Sequence, residues 1–196
     1  MVVDRVTWKI SVAGMKSSGK SSLISRIVYG TDGTNGHARL LSRKRVTMER
    51  GEGKIIADLL LQEIGDDAEA ERLLPGSSLI IVVADIMARD SLLYAEDAIK
   101  YAKNFEKKPP VVLVGTKIDL RYEAELWTED FDKTTRKLKV DYFMVSARGG
   151  EGVPKLMDHV LNVILERFYA KKTKRHIEPY VQTLFSRLLT KKALLS

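Results

Sequence analysis

The alternation of apolar and polar residues predicts three strands in the first third of the chain. The segment from Arg5 to Val12 alternates, with Val6, Trp8, Ile10 and Val12 on one face, which is typical of a strand with one buried face. Two further strands, Arg43 to Arg50 and Lys54 to Gln62, flank a Gly-Glu-Gly turn. This arrangement predicts a hairpin.

Later segments predict a sheet that is covered on both sides. Three short apolar runs, Ser78 to Ala84, Val111 to Val114 and Tyr142 to Val145, are typical of strands buried on both faces of a parallel sheet. Strands that alternate with helices predict a three-layer α/β fold, with about six mostly parallel strands and helices on both faces. The predicted helices are Lys20–Tyr29, Ser91–Phe105, Thr128–Leu138 and Val153–Lys171.

Residues 14–21 read GMKSSGKS and fit the phosphate-loop pattern G-x-x-x-x-G-K-[ST]. A predicted strand ends just before this stretch and a predicted helix begins inside it. Glycines let successive N–H groups point at phosphate oxygens, and the helix N-terminus adds partial positive charge. The alternative is a simple Gly/Ser turn. We expect a nucleotide to bind Gly14, Lys16, Ser17, Ser18, Gly19, Lys20, Ser21 and Ser22, with Lys20 on the β- and γ-phosphates and Ser21 on Mg²⁺.

Lys16 has two interpretations. Its charge could lie near the phosphates, where it could also obstruct an inserted arginine finger, or its side chain could simply face solvent. The sequence leaves both open.

Two segments that follow strand ends are candidates for binding the base of the nucleotide. Asp119 follows the run VVLV-GTKI, and a fixed carboxylate there accepts both N1–H and the N2 amine of guanine, a donor pair that adenine lacks. Thr116 and Lys117 belong to the same segment, and the stem of Lys117 is expected over the ring with its head at the phosphate loop. Ser146, Ala147 and Arg148 offer a backbone N–H to guanine O6. The alternative for Asp119 is an ordinary solvated carboxylate.

These motifs resemble those of the Ras-superfamily small GTPases. VVLVGTKIDLR is most similar to the Rho/Rac branch, where Thr replaces the Asn of the N-K-x-D motif, and SAR is similar to S-A-K. The match covers residues 5 to 170. It implies a P-loop NTPase (small G-protein) fold, GTP/GDP and Mg²⁺ as cofactors, hydrolysis of GTP to GDP and phosphate, and effector or regulator proteins as partners. The stretch from Leu120 to Lys139 is too short for the extra helix of Rho proteins.

The resemblance breaks at the second switch. Where the family has D-x-x-G-Q, residues 62–66 read QEIGD. The resemblance gives Gly65 the γ-phosphate contact and places Asp66 where the catalytic Gln should be, so Lys20, Gly65 and Asp66 are the candidate catalytic residues. A second anion beside the γ-phosphate is unfavourable, so we expect slow hydrolysis.

Gln62 stands where the family has the Asp that faces Mg²⁺. An amide supplies no negative charge, so metal affinity should fall unless Glu63 or Asp58 substitutes. The C-terminal GTPase domain of Miro-like proteins is similar in lacking the standard motif here. A misalignment of one or two residues, with Asp67 close by, is the alternative.

The first switch lacks a well-placed threonine. The resemblance requires a Thr that ligates Mg²⁺ a few residues before the second strand. Thr34 is the nearest candidate, and Thr31 and Thr47 are less well placed. Spacing from the hairpin points instead to residues 38–40, which contain no Thr.

Composition excludes several classes of protein. With 44% hydrophobic residues and 5 prolines, the chain is neither disordered nor collagen-like. The absence of cysteine excludes disulfides, thiolate zinc sites, a cysteine nucleophile and prenyl or palmitoyl anchors. No signal peptide or uncharged run of the ~18 residues needed for a spanning helix is found, so we expect a cytoplasmic protein, with peripheral membrane attachment open.

The net charge of +7 belongs entirely to the last 30 residues, because residues 1–166 hold 25 basic and 25 acidic side chains. We therefore divide the chain into a GTPase domain, 1–170, and a basic extension, 171–196. The extension has a cationic run at Lys171–Arg175, a predicted break at Pro179 and then a short amphipathic helix. Docking on protein is favoured for it, an anionic membrane surface is second and nucleic acid is last.

Together these features predict a guanine-nucleotide-binding switch, in which loops around residues 30–40 and 62–75 respond to the γ-phosphate. The first hypothesis is a slow GTPase acting on an unknown partner. The second is a non-hydrolysing module that uses the nucleotide as a structural element.

Overall fold

The computed structural model describes residues 2–33, 41–50, 53–65, 74–105 and 107–193, with side chains up to residue 173 except those of Val2 and Arg50. Within these ranges six strands form one sheet in the order β2-β3-β1-β4-β5-β6. The hairpin pair β2–β3 is antiparallel and every other neighbouring pair is parallel, as predicted. The strands are β1 (Val2–Gly14), β2 (Leu41–Arg50), β3 (Gly53–Glu63), β4 (Leu79–Asp85), β5 (Val111–Thr116) and β6 (Asp141–Met144).

Four α-helices and one 3₁₀ helix accompany the sheet in the described ranges. They are α1 (Lys20–Tyr29), α2 (Arg89–Lys103), the 3₁₀ helix (Ile118–Glu123), α3 (Thr128–Leu138) and α4 (Val153–Ala193). The bounds of α1 and α3 are those predicted. Helix α1 ends at Tyr29 and is capped by Gly30, which has φ 76° and donates its N–H to Arg26 O. Glycine adopts this left-handed conformation without steric cost.

Both faces of the central strands are covered. All residues of β4 and β5 are buried. Ile80 and Val82 on one face of β4 belong to a core cluster with Ile99 of α2 and Phe131 of α3. Because successive side chains of a strand point to opposite faces, the equally buried Ile81 lies on the other face. The three-layer prediction is therefore confirmed.

The prediction for the last strand is wrong in one respect. Tyr142, Phe143 and Met144 are only half-buried and Asp141 is exposed. The reason is that β6 is an edge strand, paired only with β5, so the sheet shields one of its sides. An apolar run in the sequence does not distinguish a central strand from an edge strand.

The chain divides into two compact units, residues 1–158 and 159–196. Helix α4 supplies the described part of the second unit and continues through Pro179, so the predicted break there is wrong. The break was predicted because a proline inside a helix removes one backbone hydrogen bond and clashes with the preceding turn. The domain boundary at residue 170 stays a prediction, and side chains of the extension beyond residue 173 lie outside the described residues. No helix in the described ranges is both long enough and apolar enough to cross a membrane.

The strand order places β1 at a reversal point. From β1 the chain moves to β3 on one side and later to β4 on the other. In open α/β sheets, ligands bind beyond the carboxyl ends of strands at such a point. The phosphate loop directly follows the carboxyl end of β1, so the fold places it where a ligand site is expected.

Candidate functional site

The phosphate loop folds around the side chain of Lys20. Its Nζ donates to Gly14 O at 2.9 Å and to Met15 O at 3.0 Å, and the residue is only 5% exposed. Ser17 and Gly19 have φ of 63° and 91°, so the chain turns tightly before α1 begins at Lys20. The ammonium group is thereby held at the N-terminus of α1, where the helix also favours an anion.

Gly14 lies too close to β4 for any side chain. A Cβ there would be 2.5 Å from Val83 O, because Gly14 and Val83 are paired in the sheet. Within the same loop Ser18 Oγ is buried, with no hydrogen-bond partner among the described residues. Lys16 and Ser17 are exposed. The position of Lys16 agrees with the solvent-facing interpretation.

Burial lowers the pKa of Lys20 from its usual value, and the negative charge of Glu63 partly restores it. Glu63 Oε1 lies 4.0 Å from Lys20 Nζ. A cation whose charged form is penalised by burial gains when an anion arrives, so the loop is suited to phosphate.

Glu63 is also the carboxylate that contacts Ser21. Ser21 Oγ donates to Glu63 Oε2 at 2.7 Å. Two ligands in adjacent positions around octahedral Mg²⁺, each at 2.0–2.1 Å, lie roughly 2.9 Å apart. A hydroxyl and a carboxylate at this separation are hard oxygen donors of the kind Mg²⁺ takes, so this pair fits the metal.

The three residues considered for the place of the family's Mg²⁺-facing Asp have different surroundings in the structure. Gln62 neighbours Glu63 along β3, and adjacent residues of a strand point to opposite faces. Asp58 accepts hydrogen bonds from Arg45 at 2.9 Å and Arg43 at 2.6 Å, and these contacts hold the pKa of its carboxyl well below its usual range. Among Gln62, Glu63 and Asp58, only Glu63 contacts Ser21 in the described residues.

Thr116 joins the phosphate loop to the end of β5. Its Oγ1 donates to Ser18 O at 2.6 Å, with Ala84 O at 3.2 Å as a second acceptor, and the residue is 1% exposed. A hydroxyl is sufficient for this link. The threonine of the T-K-x-D segment therefore ties the predicted phosphate and base regions together.

Asp119 and the loop after β6 come together at the carboxyl ends of the parallel strands. Ser146 Oγ donates to Asp119 Oδ1 at 2.6 Å and accepts the N–H of Gly149 at 2.9 Å. We call residues 146–148 the base loop. Ser146 and Ala147 are buried, whereas Asp119 is exposed. The predicted base-reading carboxylate therefore stands at the surface with a hydroxyl to orient it.

Lys117 differs from its prediction. Its backbone is left-handed, with φ 66°, and its Nζ donates to Asp85 Oδ2 at 2.5 Å instead of returning to the phosphate loop. Asp85 is 8% exposed, and its Oδ1 also accepts the N–H of Met87 at 3.0 Å. A buried carboxylate needs a cation or donors, and Lys117 is the cation within reach. Sequence reasoning missed Asp85.

Arg26 was also missed. It lies on α1 and its guanidinium contacts the carbonyl groups of Ala147, Arg148 and Gly30. No motif marks this residue, because its partners in the base loop are 121 and 122 positions away along the chain.

Several predicted site residues have little or no described environment. Thr34 and Asp66 lie outside the described residues. Gly65 is exposed two positions after β3, and Ser22 is half-buried within α1. Thr31 is exposed after α1, which leaves the choice of the first-switch threonine a prediction.

Comparisons with known proteins decide the family. The sequence model of the Ras family matches residues 9–166. The chain belongs to the Ras family. The order and spacing of the phosphate loop, the T-K-x-D segment and the base loop on one sheet edge agree with this assignment. Membership supports a GTP-binding switch in general terms.

Individual relatives of this Ras-family protein are distant. It is 28% identical over 149 residues to the Ras-related protein rapC of Dictyostelium discoideum, covering 70% of this chain and 52% of that protein. It is 26% identical over 201 positions to the bovine Ras-related and estrogen-regulated growth inhibitor, covering 93% and 95%. It is 26% identical over 99 residues to bovine Ras-related protein Rab-27B, covering 50% and 45%. The chain thus spans about half the length of two of these relatives.

Proposed function

We propose that the protein is a guanine-nucleotide-binding switch that takes GTP and GDP and hydrolyses GTP slowly. One observation carries the proposal: Lys20, inside the phosphate loop, and Asp119, beside the base loop, both lie at the carboxyl ends of the parallel strands. The hydrogen bond from Thr116 to Ser18 O joins the segment that contains Asp119 to the phosphate loop. The phosphate contacts are assigned to the loop from Gly14 to Ser22. Guanine is assigned to Asp119, with a backbone N–H of the base loop donating to O6.

Mg²⁺ is the metal ion that we propose for this site. Ser21 and Glu63 would hold it, with Thr34 as the candidate from the first switch. When bound, the metal would neutralise negative charge on the phosphates. Lys20 contributes positive charge at the same oxygens, and its burial makes that interaction strong because little water screens it.

Slow hydrolysis is proposed from residue 66. Gly65 is assigned to the γ-phosphate, and Asp66 would stand where the family's D-x-x-G-Q pattern has the glutamine that orients the attacking water. A carboxylate at that place adds negative charge where charge must be neutralised. The second candidate, a non-hydrolysing binding module, is supported by the same departure from the family pattern.

Base selection is tested by titrating GDP and ADP calorimetrically into the wild type and two variants. Wild type should prefer GDP, and Asp119→Ala should lose that preference, because the carboxylate that accepts N1–H and the N2 amine is gone. Asp97→Ala is the matched control, since the side chain of Asp97 is 78% exposed on α2. A wild type without preference for GDP, or an Asp119→Ala variant that keeps it, would refute the guanine assignment.

Hydrolysis is tested by single-turnover release of labelled γ-phosphate from bound GTP. The proposal expects slow release above the buffer rate and faster release in Asp66→Gln. With GTP shown to be bound, no release over hours would exclude the enzyme and favour the binding module.

The partners are proposed by class. Loops around residues 30–40 and 62–75 would present the nucleotide state to an effector or regulator protein. Residues 171–196 would dock on protein or on an anionic membrane surface, in a cytoplasmic setting. Flotation with vesicles containing anionic lipid, compared between the full chain and a chain ending at residue 171, separates the two docking modes.

A further inference from the structure

Each of the three nitrogen atoms of the Arg26 guanidinium contacts one backbone carbonyl group. Its Nε donates to Ala147 O at 2.5 Å, Nη2 donates to Arg148 O and Nη1 donates to Gly30 O. Two of these acceptors are consecutive carbonyls of the base loop, and the third belongs to Gly30, the residue that follows the last turn of α1. A planar fork of donors can serve three carbonyls together, whereas an ammonium group is a single point of contact.

The contact with Ala147 O fixes the direction of the next N–H. In a trans peptide the C=O and N–H groups point in opposite directions, and the described residues contain no cis peptide. The N–H of Arg148 therefore points away from Arg26. The same geometry links Arg148 O to the N–H of Gly149, which donates to Ser146 Oγ at 2.9 Å. Arg26 thereby sets the orientation of two consecutive peptide units.

The Ser146 hydroxyl connects this part of the loop to Asp119. Ser146 Oγ accepts the N–H of Gly149, so its single hydrogen is directed to Asp119 Oδ1, 2.6 Å away. The turn is also closed by the N–H of Gly150, which donates to Ser146 O at 2.8 Å. Without Arg26 the peptide unit between Arg148 and Gly149 would lose the contact on its carbonyl side, and the bond from the Gly149 N–H that orients Ser146 Oγ would be weakened.

Arg26 also connects the two ends of the site. It lies six residues after Lys20 in the same helix, fewer than two turns from the phosphate loop. Because a helix is stiff over this length, the base loop is fixed relative to the loop that cradles Lys20.

We propose that Arg26 is a positioning residue that sets guanine selectivity by fixing the base loop and, through Ser146, the carboxylate of Asp119. The inference rests on the proposed function, because it assigns the base to this loop. Arg26 acts through the protein and does not itself touch the nucleotide in this scheme.

The test compares GDP with IDP, whose base differs only by the absent N2 amine that Asp119 would accept. In Arg26→Gln and Arg26→Lys, GDP should bind at least ten-fold more weakly, and the ratio of GDP to IDP affinity should fall at least three-fold. Arg136→Gln is the control, since the side chain of Arg136 is 82% exposed on α3, and it should match the wild type. An unchanged ratio in folded Arg26 variants, with or without weaker binding, would overturn the proposal.

A second measurement needs no variant. In the GDP-bound wild type, the Arg26 Nε–H should exchange with solvent slowly in ¹⁵N NMR spectra, because it is bonded to Ala147 O. Fast exchange would overturn the proposal even if the variants failed to fold. A wild type with no preference for GDP over ADP would instead refute the proposed function, so the two failures are distinguishable.

Discussion

Replacing Glu63 by glutamine would remove one negative charge beside Ser21 while keeping the shape of the side chain. Glu63 Oε2 accepts the Ser21 hydroxyl at 2.7 Å, and Oε1 lies 4.0 Å from Lys20 Nζ. Two unit charges at that distance interact by about 4 kcal/mol at an effective dielectric constant of about 20, before further screening. The charge of Glu63 is therefore large enough to influence both a metal ion and Lys20.

We expect the Glu63→Gln variant to need more Mg²⁺ to retain GDP. Loss of a carboxylate that supports a metal site commonly lowers metal affinity by about 10- to 100-fold, which is about 1.4–2.7 kcal/mol. Because Glu63 raises the pKa of Lys20 against the effect of burial, that pKa should fall further in the variant. As the pH rises into the alkaline range, Lys20 should lose its proton earlier in the variant, so GDP affinity should begin to decline at a lower pH than in the wild type.

The assay is the dissociation rate of a fluorescent GDP analogue as a function of free Mg²⁺. Gln62→Leu is the matched control, because Gln62 is the next residue along β3 and faces the opposite side of the sheet. A Mg²⁺ midpoint unchanged in Glu63→Gln but shifted in Gln62→Leu would show that the reasoning is wrong and that the metal-facing residue is the one aligned by family spacing.

Three further changes have definite expected outcomes. Gly14→Ala should lower the free energy of unfolding by at least about 2 kcal/mol in chemical denaturation, because its Cβ would lie 2.5 Å from Val83 O; an unaffected midpoint would contradict the close approach. Glu96→Gln should destabilise the fold by about 1 kcal/mol at pH 7 by weakening its bonds with Thr134 and Lys137. Burial acts to raise the pKa of Glu96, but those bonds outweigh it and lower the pKa below the usual value. The stability difference between wild type and variant should therefore be present above about pH 4.5 and vanish as the pH falls through the lowered pKa. Ending the chain at residue 171 should leave GDP affinity within two-fold in calorimetry, and a large loss would contradict the proposed domain division.

The phosphate loop was predictable because its function depends on the backbone. Glycines at fixed spacing, a lysine and a helix start leave a readable pattern at residues 14–21, and the structure places Lys20 inside that turn. The buried strands were predictable for a similar reason, since a parallel strand covered on both faces has a continuous apolar sequence.

The sequence left open which of Gln62, Glu63 and Asp58 lies beside Ser21, because the answer depends on strand register. Counting back from Gly65 selects Gln62, whereas the pairing of Val12 with Glu63 places the next residue beside Ser21. A shift of one residue in a strand reverses the face of every side chain, and only the sheet determines it.

Partners that are distant along the chain were not predictable at all. Lys117 pairs with Asp85, which is 32 positions away, and no spacing rule relates them. The contacts of Arg26 with the base loop are of the same kind. Thr34 and Asp66 stay predictions based on the family resemblance.

The candidate site takes residues from the ends of four strands, β1, β3, β5 and β6, which no short segment of the chain contains. A ligand that binds all four ends must therefore dissociate whenever the sheet comes apart, and its binding energy adds to the stability of the whole domain. At a free concentration 100 times its dissociation constant, one such ligand adds about 2.7 kcal/mol. The concentration of such a ligand in the cell would thus influence how much of this protein is folded.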